Sequence, residues 1–341
     1  MSRRSTATSL ARAMQRNFTA LARLLGGPGV HASVRRAARP PKGVLVKHRK
    51  DKAGTWLPGV VMGAFGMRRY RLYQPSGIGV SERLPLMVML HGCGQDANSF
   101  ALSTRMNRLA ERERFLVLYP EQDRLSNSQG CWNWFDTDTG RAQAEAALIL
   151  QCVDQVSLMH PVDKARVAIA GLSSGGSMAA LLATRYPDRF KAVVMHSGVP
   201  PGFAHSASSA LGAMRGRRTA IALTSEPSLQ VSAWPPLLAI HGDADAIVSP
   251  NNSEAASLLW AQAGGARSGT ARHMRRGQRY PMSVTEFKCR GVTVAKLVTI
   301  DGLAHAWSGG AAGQAFSDAK GPDASRMIWA FARKQFEASD G

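Results

Sequence analysis

The stretch Gly171-Leu172-Ser173-Ser174-Gly175-Gly176 carries the residue types best suited to covalent chemistry. It follows an apolar β-branched run, Val167 to Ala170, and leads at once into a helix-compatible run, Ser177 to Tyr186. A strand that turns sharply into a helix brings backbone close to backbone, so the turn needs residues without bulky side chains. A serine at its apex holds its hydroxyl clear of the sheet. There it lies at a helix N-terminus, where unpaired amides meet developing negative charge. The G-x-S-x-G pattern alone is weak in a chain with 33 glycines. The strand before it and the helix after it make Ser173 the candidate nucleophile.

A serine hydroxyl needs a base to take its proton, and an imidazole suits that task. The base in turn needs a carboxylate to hold its tautomer. Downstream of Ser173, the order acid then histidine is met in two loops, each just past an expected strand. In His241-Gly-Asp-Ala-Asp245, both Asp243 and Asp245 stand where such an acid belongs; Asp243 reads as a turn or helix cap. In Gly302-Leu-Ala-His-Ala-Trp307, His305 is flanked by small residues and is the preferred base over His273, which lies in an arginine-rich loop. His196 and His241 end strands and read as structural. An oxyanion hole would take the amide of Ser174 and one from His91-Gly92-Cys93-Gly94, with Cys93 the best candidate.

The elements needed to position these residues are legible in outline. Buried-strand runs are expected at 84–90, 115–119, 167–170, 191–196 and 236–240, with further strands at 70–74, 283–288 and 292–300. Helices are expected near 99–112, 141–159, 177–186, 252–263 and 323–337. The alternation implies an α/β fold: a mostly parallel central sheet with helices on both faces, and working residues beyond the strands' C-terminal ends. Segments 201–235 and 264–281 read as insertions that could shape a substrate mouth.

Charge and cysteines narrow the alternatives. The formal net charge is +20, but twelve Lys and Arg precede the first acid, Asp51. Residues 1–52 therefore read as a basic arm and linker, and 53–341 as the globular domain. Within the arm, Leu10, Met14, Phe18, Leu21 and Leu25 share one helical face opposite Arg12, Arg16 and Arg23. That pattern suits an anionic surface or a polymer granule. Arginines interrupt any secretory apolar core, and no apolar run reaches about 18 residues. Basic clusters at Arg215, Arg217 and Arg218 and at Arg272, Arg275, Arg276 and Arg279 lack any spacing for specific nucleic-acid readout. Cys93, Cys131, Cys152 and Cys289 lack metal-ligand spacing, and neither metal nor cofactor is expected.

Six motifs together carry a family resemblance. Leu90-His-Gly-Cys-Gly-Gln95, Leu118-Tyr-Pro-Glu-Gln122, Cys131-Trp-Asn-Trp-Phe135, Gly171-Leu-Ser-Ser-Gly-Gly176, His241-Gly-Asp-Ala-Asp245 and Gly302-Leu-Ala-His-Ala-Trp307 resemble, in order, the polyhydroxybutyrate depolymerase family esterases. Feruloyl and acetylxylan esterases are related to that family. The resemblance spans about residues 65–335 and implies an α/β-hydrolase fold. It also implies a serine esterase with Ser173 as nucleophile, Asp245 as acid and His305 as base, and oxyanion donors at Cys93 and Ser174. A disulfide between Cys93 and Cys131, and Trp307 as an apolar contact for the acyl chain, are further implications. Cys152 and Cys289 receive no role.

Polymer-degrading relatives usually carry a secretory signal and a substrate-binding domain, neither of which is read here. The expected substrates are accordingly short-chain esters or hydroxyalkanoate oligomers, with feruloyl or acetyl esters of plant polysaccharide as the alternative. A binding protein working through the basic arm is the remote one. The resemblance favours an extracellular location; the unread signal favours a cytoplasmic one.

Overall fold

The computed structural model describes residues 54–217 and 234–338. All of these belong to the unit that begins at Ala53. The basic arm at 1–52, with its amphipathic pattern, and Arg218 lie outside the described residues.

Trp307–Ser308 and Ser317–Asp318 pair separately; in chain order the strands of the main sheet are β1 (Thr55–Gly63), β2 (Gly66–Gln74), β3 (Leu84–Leu90), β4 (Leu116–Pro120), β5 (Val162–Leu172), β6 (Ala192–His196), β7 (Leu237–Gly242), β8 (Arg267–Ser268), β9 (Arg272–Met274), β10 (Met282–Cys289) and β11 (Val292–Ile300). They form one sheet in the order β1-β2-β4-β3-β5-β6-β7-β11-β10-β8, with β9 also on β10. The six strands from β4 to β11 run parallel, and antiparallel pairs extend the sheet at both ends. Fully apolar runs fit this centre, since a parallel strand is covered on both faces. Every residue of β3, β4, β6 and β7 is buried.

Among the described residues, seven α-helices flank the sheet: α1 (Ala97–Thr104), α2 (Met106–Glu113), α3 (Arg141–Met159), α4 (Ser174–Arg185), α5 (Ala207–Met214), α6 (Asn251–Ala263) and α7 (Ala324–Glu337). Alternation along β3 shows how the two cores divide. Leu86, Val88 and Leu90 pack with α3, α4 and α6 on one face. Met87 and Met89 pack with α1, α2 and α7 on the other.

The expected α/β architecture is therefore the observed one, with local differences. β1 was not among the expected strands, because Pro58 and Gly59 interrupt its alternation. The helix expected over 99–112 is two helices broken at Arg105, whose φ of 56° is left-handed. Segment 264–281 is not an open insertion: β8 and β9 lengthen the sheet beyond β10.

Close backbone approaches shape the C-terminal end of the parallel strands. A Cβ on Gly175 would overlap the carbonyl oxygens of Leu90 and His91 at the end of β3, and one on Gly171 would overlap the backbone of Gly175. The first turn of α4 therefore lies directly on the ends of β3 and β5, which only a residue without a side chain permits. Gly175→Ala is expected to cost about 3 kcal/mol of stability, because backbone rather than a movable side chain opposes the methyl group. Equilibrium urea unfolding would measure it; an unchanged midpoint would contradict the packing described.

Candidate active site

Ser173 sits in the turn between β5 and α4 with φ 56° and ψ −121°. This conformation is strained for a residue bearing a Cβ, and strain of this kind persists only where the surroundings enforce it. They do so by donation of the Ser173 amide to the His196 carbonyl at 2.8 Å, and of the Ser177 amide to the Ser173 carbonyl at 3.0 Å. Ser173 is 9% exposed.

Loop 91–95 packs beside it. A Cβ on Gly92 would stand 3.6 Å from Ser173 Cβ, and Ser174 Oγ lies 3.4 Å from Cys93 Sγ. The amides of Cys93 and Ser174 donate to no protein group among the described residues. Both proposed oxyanion donors thus flank the serine with their N–H groups unspent.

The loop is anchored from behind. Cys93 and Cys131 are disulfide-bonded, the pairing the resemblance implied. The Trp132 indole donates to the His91 carbonyl at 2.9 Å, and the Gln122 amide donates to His91 Nε2 at 3.1 Å. Since Nε2 accepts, Nδ1 carries the proton and donates to the Gly92 carbonyl at 2.8 Å. Burial lowers the His91 pKa to about 4, keeping the ring neutral.

Behind this lies a buried polar cluster. Glu145 on α3, 4% exposed, accepts from Gln122 Nε2 at 2.7 Å, the Asn133 amide at 2.9 Å and Asn133 Nδ2 at 2.6 Å. Gln122 also donates to the Cys131 carbonyl at 2.9 Å and accepts from Arg68 Nη1. The buried Arg68 guanidinium lies 5.2 Å from the centre of the Trp132 ring. Sequence reasoning noticed the two motifs containing Gln122 and Asn133 but gave them no role, and it passed over Arg68 and Glu145. A signal for Glu145 existed: it falls on the apolar stripe of α3 that runs Ala142, Ala146, Ile149, Cys152, Val156.

The candidate acid and base come from loops after β7 and β11. His305 Nδ1 lies 2.7 Å from Asp245 Oδ2. Asp245 Oδ1 accepts from the amides of Ile247 and Val248, each at 2.9 Å. Burial acts upward on the Asp245 pKa, but hydrogen bonds from His241 and His305 and their electrostatic attraction outweigh it. The carboxyl is held well below the usual carboxylate range. No hydrogen bond joins Ser173 Oγ to His305 among the described residues; such contacts commonly tighten only when substrate binds. Ser173 and this pair share the C-terminal edge of the sheet, since Leu172 pairs with His196, His196 with Ile240 and Gly242 with Ile300.

Asp243 does not touch His305. Its Oδ1 accepts from the Gly302 amide at 2.6 Å, tying down the turn that leads to His305. His273 lies exposed on β9, paired with Ser283. His196 is buried and stacks on Trp307, with ring centroids 5.2 Å apart. His241, read from the sequence as structural, reaches Asp245.

Trp307 requires correction. It is 0% exposed, packs edge-on to Phe100 and donates its indole N–H to Ser325 Oγ at 3.2 Å. With no free face, it cannot be the acyl contact. Instead it supports His196 beneath the site.

Burial raises the Cys152 thiol pKa to about 12, which suppresses thiolate chemistry, while Cys289 is free and half-buried. Among the described residues, no group of three or more His, Cys, Asp or Glu could hold a metal ion, and no helix is long and apolar enough to cross a membrane.

The architecture is that of the α/β-hydrolases. An acetyl xylan esterase from Aspergillus awamori superposes with a TM-score of 0.57 at 21% identity, covering 73% of this chain and 94% of that one. The S-formylglutathione hydrolase from Agrobacterium tumefaciens gives 0.52 at 16% identity, with 84% and 95% covered. Within that fold, the chain belongs to the esterase PHB depolymerase family, which matches residues 68–278. It is 34% identical over 187 residues to poly(3-hydroxyalkanoate) depolymerase C of Paucimonas lemoignei, covering 51% of this chain and 44% of that protein. It is 38% identical over 128 residues to feruloyl esterase B of Thermothelomyces thermophilus, covering 37% and 43%. The matches thus span less than half the length of these curated relatives.

Glu145→Ala would strip three donors of their acceptor and remove negative charge near the buried Arg68. The expected loss is about 3 kcal/mol or more, read by guanidinium unfolding. A loss below about 1 kcal/mol, in the range of an exposed ion pair, would mean the cluster is not a structural anchor.

Proposed function

We propose that this chain is a serine carboxylic-ester hydrolase that works through an acyl-enzyme. The hydrogen bond at 2.7 Å between His305 Nδ1 and Asp245 Oδ2 is the observation that carries the reading. It commits the Nδ1 proton to the carboxylate and leaves the Nε2 lone pair to take a proton from Ser173.

Ser173 Oγ then attacks the ester carbonyl, and the oxyanion is received by the amides of Cys93 and Ser174. His305 passes its proton to the departing alcohol. Water, deprotonated in turn by His305, attacks the acyl-enzyme and releases the acid. Asp245 stays ionised throughout and stabilises the imidazolium. A buried carboxylate held far below its usual pKa suits that task.

For substrates, short-chain esters or hydroxyalkanoate oligomers are favoured by the 34% identity to a poly(3-hydroxyalkanoate) depolymerase. Aromatic or acetyl esters of plant polysaccharide are the second reading, favoured by the 38% identity to a feruloyl esterase. The Cys93–Cys131 disulfide supports work in an oxidising compartment. The basic arm supports attachment to an anionic surface or granule, for which co-sedimentation before and after removal of residues 1–52 is the test.

Ser173→Ala is expected to abolish p-nitrophenyl butyrate hydrolysis with an unchanged circular dichroism spectrum; retained turnover would refute the assignment and leave a binding role. Asp245→Asn should lower kcat by orders of magnitude, about 10⁴-fold in a comparable triad. Asp243→Asn should be far milder, since it only tethers Gly302. The reverse ranking would reassign the acid. Comparing rates on hydroxybutyrate oligomers, methyl ferulate and acetylxylan decides between the two substrate readings.

A further inference from the structure

His241 ends β7 in full burial, with both ring nitrogens committed. Nε2 lies 2.9 Å from the Val248 carbonyl oxygen and 3.1 Å from Asp245 Oδ2. Both neighbours are acceptors, so Nε2 carries a proton. Nδ1 lies 2.6 Å from Ser253 Oγ on α6. Ser253 is wholly buried, and this is the one partner of its hydroxyl among the described residues. A buried hydroxyl with one neighbour in reach donates to it, so Nδ1 accepts and the ring is the neutral Nε2–H tautomer.

Asp245 Oδ2 therefore faces two imidazole N–H groups: His305 hydrogen-bonds to it at 2.7 Å, and the His241 Nε2–H, shared with the Val248 carbonyl, lies 3.1 Å away. A base–acid pair alone needs only the first. We propose that His241, with its tautomer set by Ser253, is a positioning residue that orients Asp245 and moderates the negative charge His305 feels. The proposal rests on the Ser173–His305–Asp245 reading above.

The physical effect has a sign. A neutral donor on Oδ2 withdraws electron density from the oxygen that stabilises the His305 imidazolium. When that donor is lost, the carboxylate attracts the imidazolium more strongly, and His305 stays protonated to higher pH. A protonated base cannot accept the Ser173 proton, so activity on the acid side falls.

The titratable groups around Asp245 are few. They are His305 in the loop after β11, His241 on β7, His196 on β6 and Asp243 in the same loop as Asp245. Burial, the largest cause, lowers the His196 pKa to about 3. That ring stays neutral across an assay from pH 5 to 9 and contributes nothing to the acid limb. Oδ1 keeps its two backbone donors whatever stands at position 241.

The experiment is the pH profile of kcat/KM on p-nitrophenyl butyrate for the full chain and for His241→Leu, His241→Gln and Ser253→Ala, with thermal melts confirming folding. In His241→Leu the acid limb should move upward by about 0.5–1 pH unit, the size of one lost neutral donor. kcat should fall more than KM rises. His241→Gln, whose amide N–H can stand where Nε2–H stood, should bring the limb back toward wild type. Ser253→Ala frees the tautomer and should shift the limb in the same direction by less. If His241→Leu does not fold, the upward shift of Ser253→Ala relative to His241→Gln carries the test. Profiles that superimpose on wild type after scaling, in Ser253→Ala and in each His241 variant that folds, overturn the proposal. That failure is distinct from failure of the triad itself, which shows as retained turnover in Ser173→Ala.

Discussion

The site depends on one steric constraint: α4 can start directly after β5 only if its first turn lies against the carbonyls that end β3. Gly175 makes that approach possible by having no side chain to place between them. Once the helix is there, Ser173 adopts its positive φ, and the first turn of the helix, with its unpaired amides, begins at the next residue. The strain at Ser173 is carried by a rigid surround of six parallel strands. The candidate site is therefore preorganised.

The two sides of the site are braced in different ways. On the oxyanion side, the brace is covalent and polar: the Cys93–Cys131 bond, the Trp132 indole and the Gln122–Glu145–Asn133 cluster hold the loop that presents Cys93. Burying Arg68 and Glu145 carries a desolvation cost, offset by the donors and acceptors that meet them. On the acid side, the brace consists of strand ends. Asp245 follows β7, the turn before His305 is tied to Asp243, and a Cβ on Gly242 would overlap the Leu303 carbonyl. One side is stiffened by a network and the other by register in the sheet.

Much of this was legible because it is local. An unbroken apolar run such as 84–90 can only be satisfied on both faces, so the parallel centre follows from periodicity. The strand–Gly–Ser–Gly–helix succession identifies an elbow, and the order of Ser173, Asp245 and His305 names the candidate partners, of which His305 and Asp245 do meet. What escaped was nonlocal. Glu145 sits on an apolar helical stripe, yet its partners are 12 and 23 residues distant. Trp307 beside His305 in sequence looks like a site residue, but the side chain points into the core formed by Phe100 and His196. Adjacency in sequence fixes distance along the chain and says nothing about which side of the sheet a ring enters.

By itself the amino-acid sequence determined the α/β class, the elbow and the residue types able to serve as nucleophile, acid and base. Each of these rests on short-range rules of periodicity, sterics and chemical type. Tertiary structure decided the contacts themselves: Asp245 reaches His305, while Asp243 ties the Gly302 amide. It decided that the Cys93 and Ser174 amides stay unspent. It also placed His241 on Asp245 and Trp307 away from the surface. Those outcomes depend on where separate strands end relative to one another, and that is settled only when the sheet closes its register and the cores on its two faces are packed.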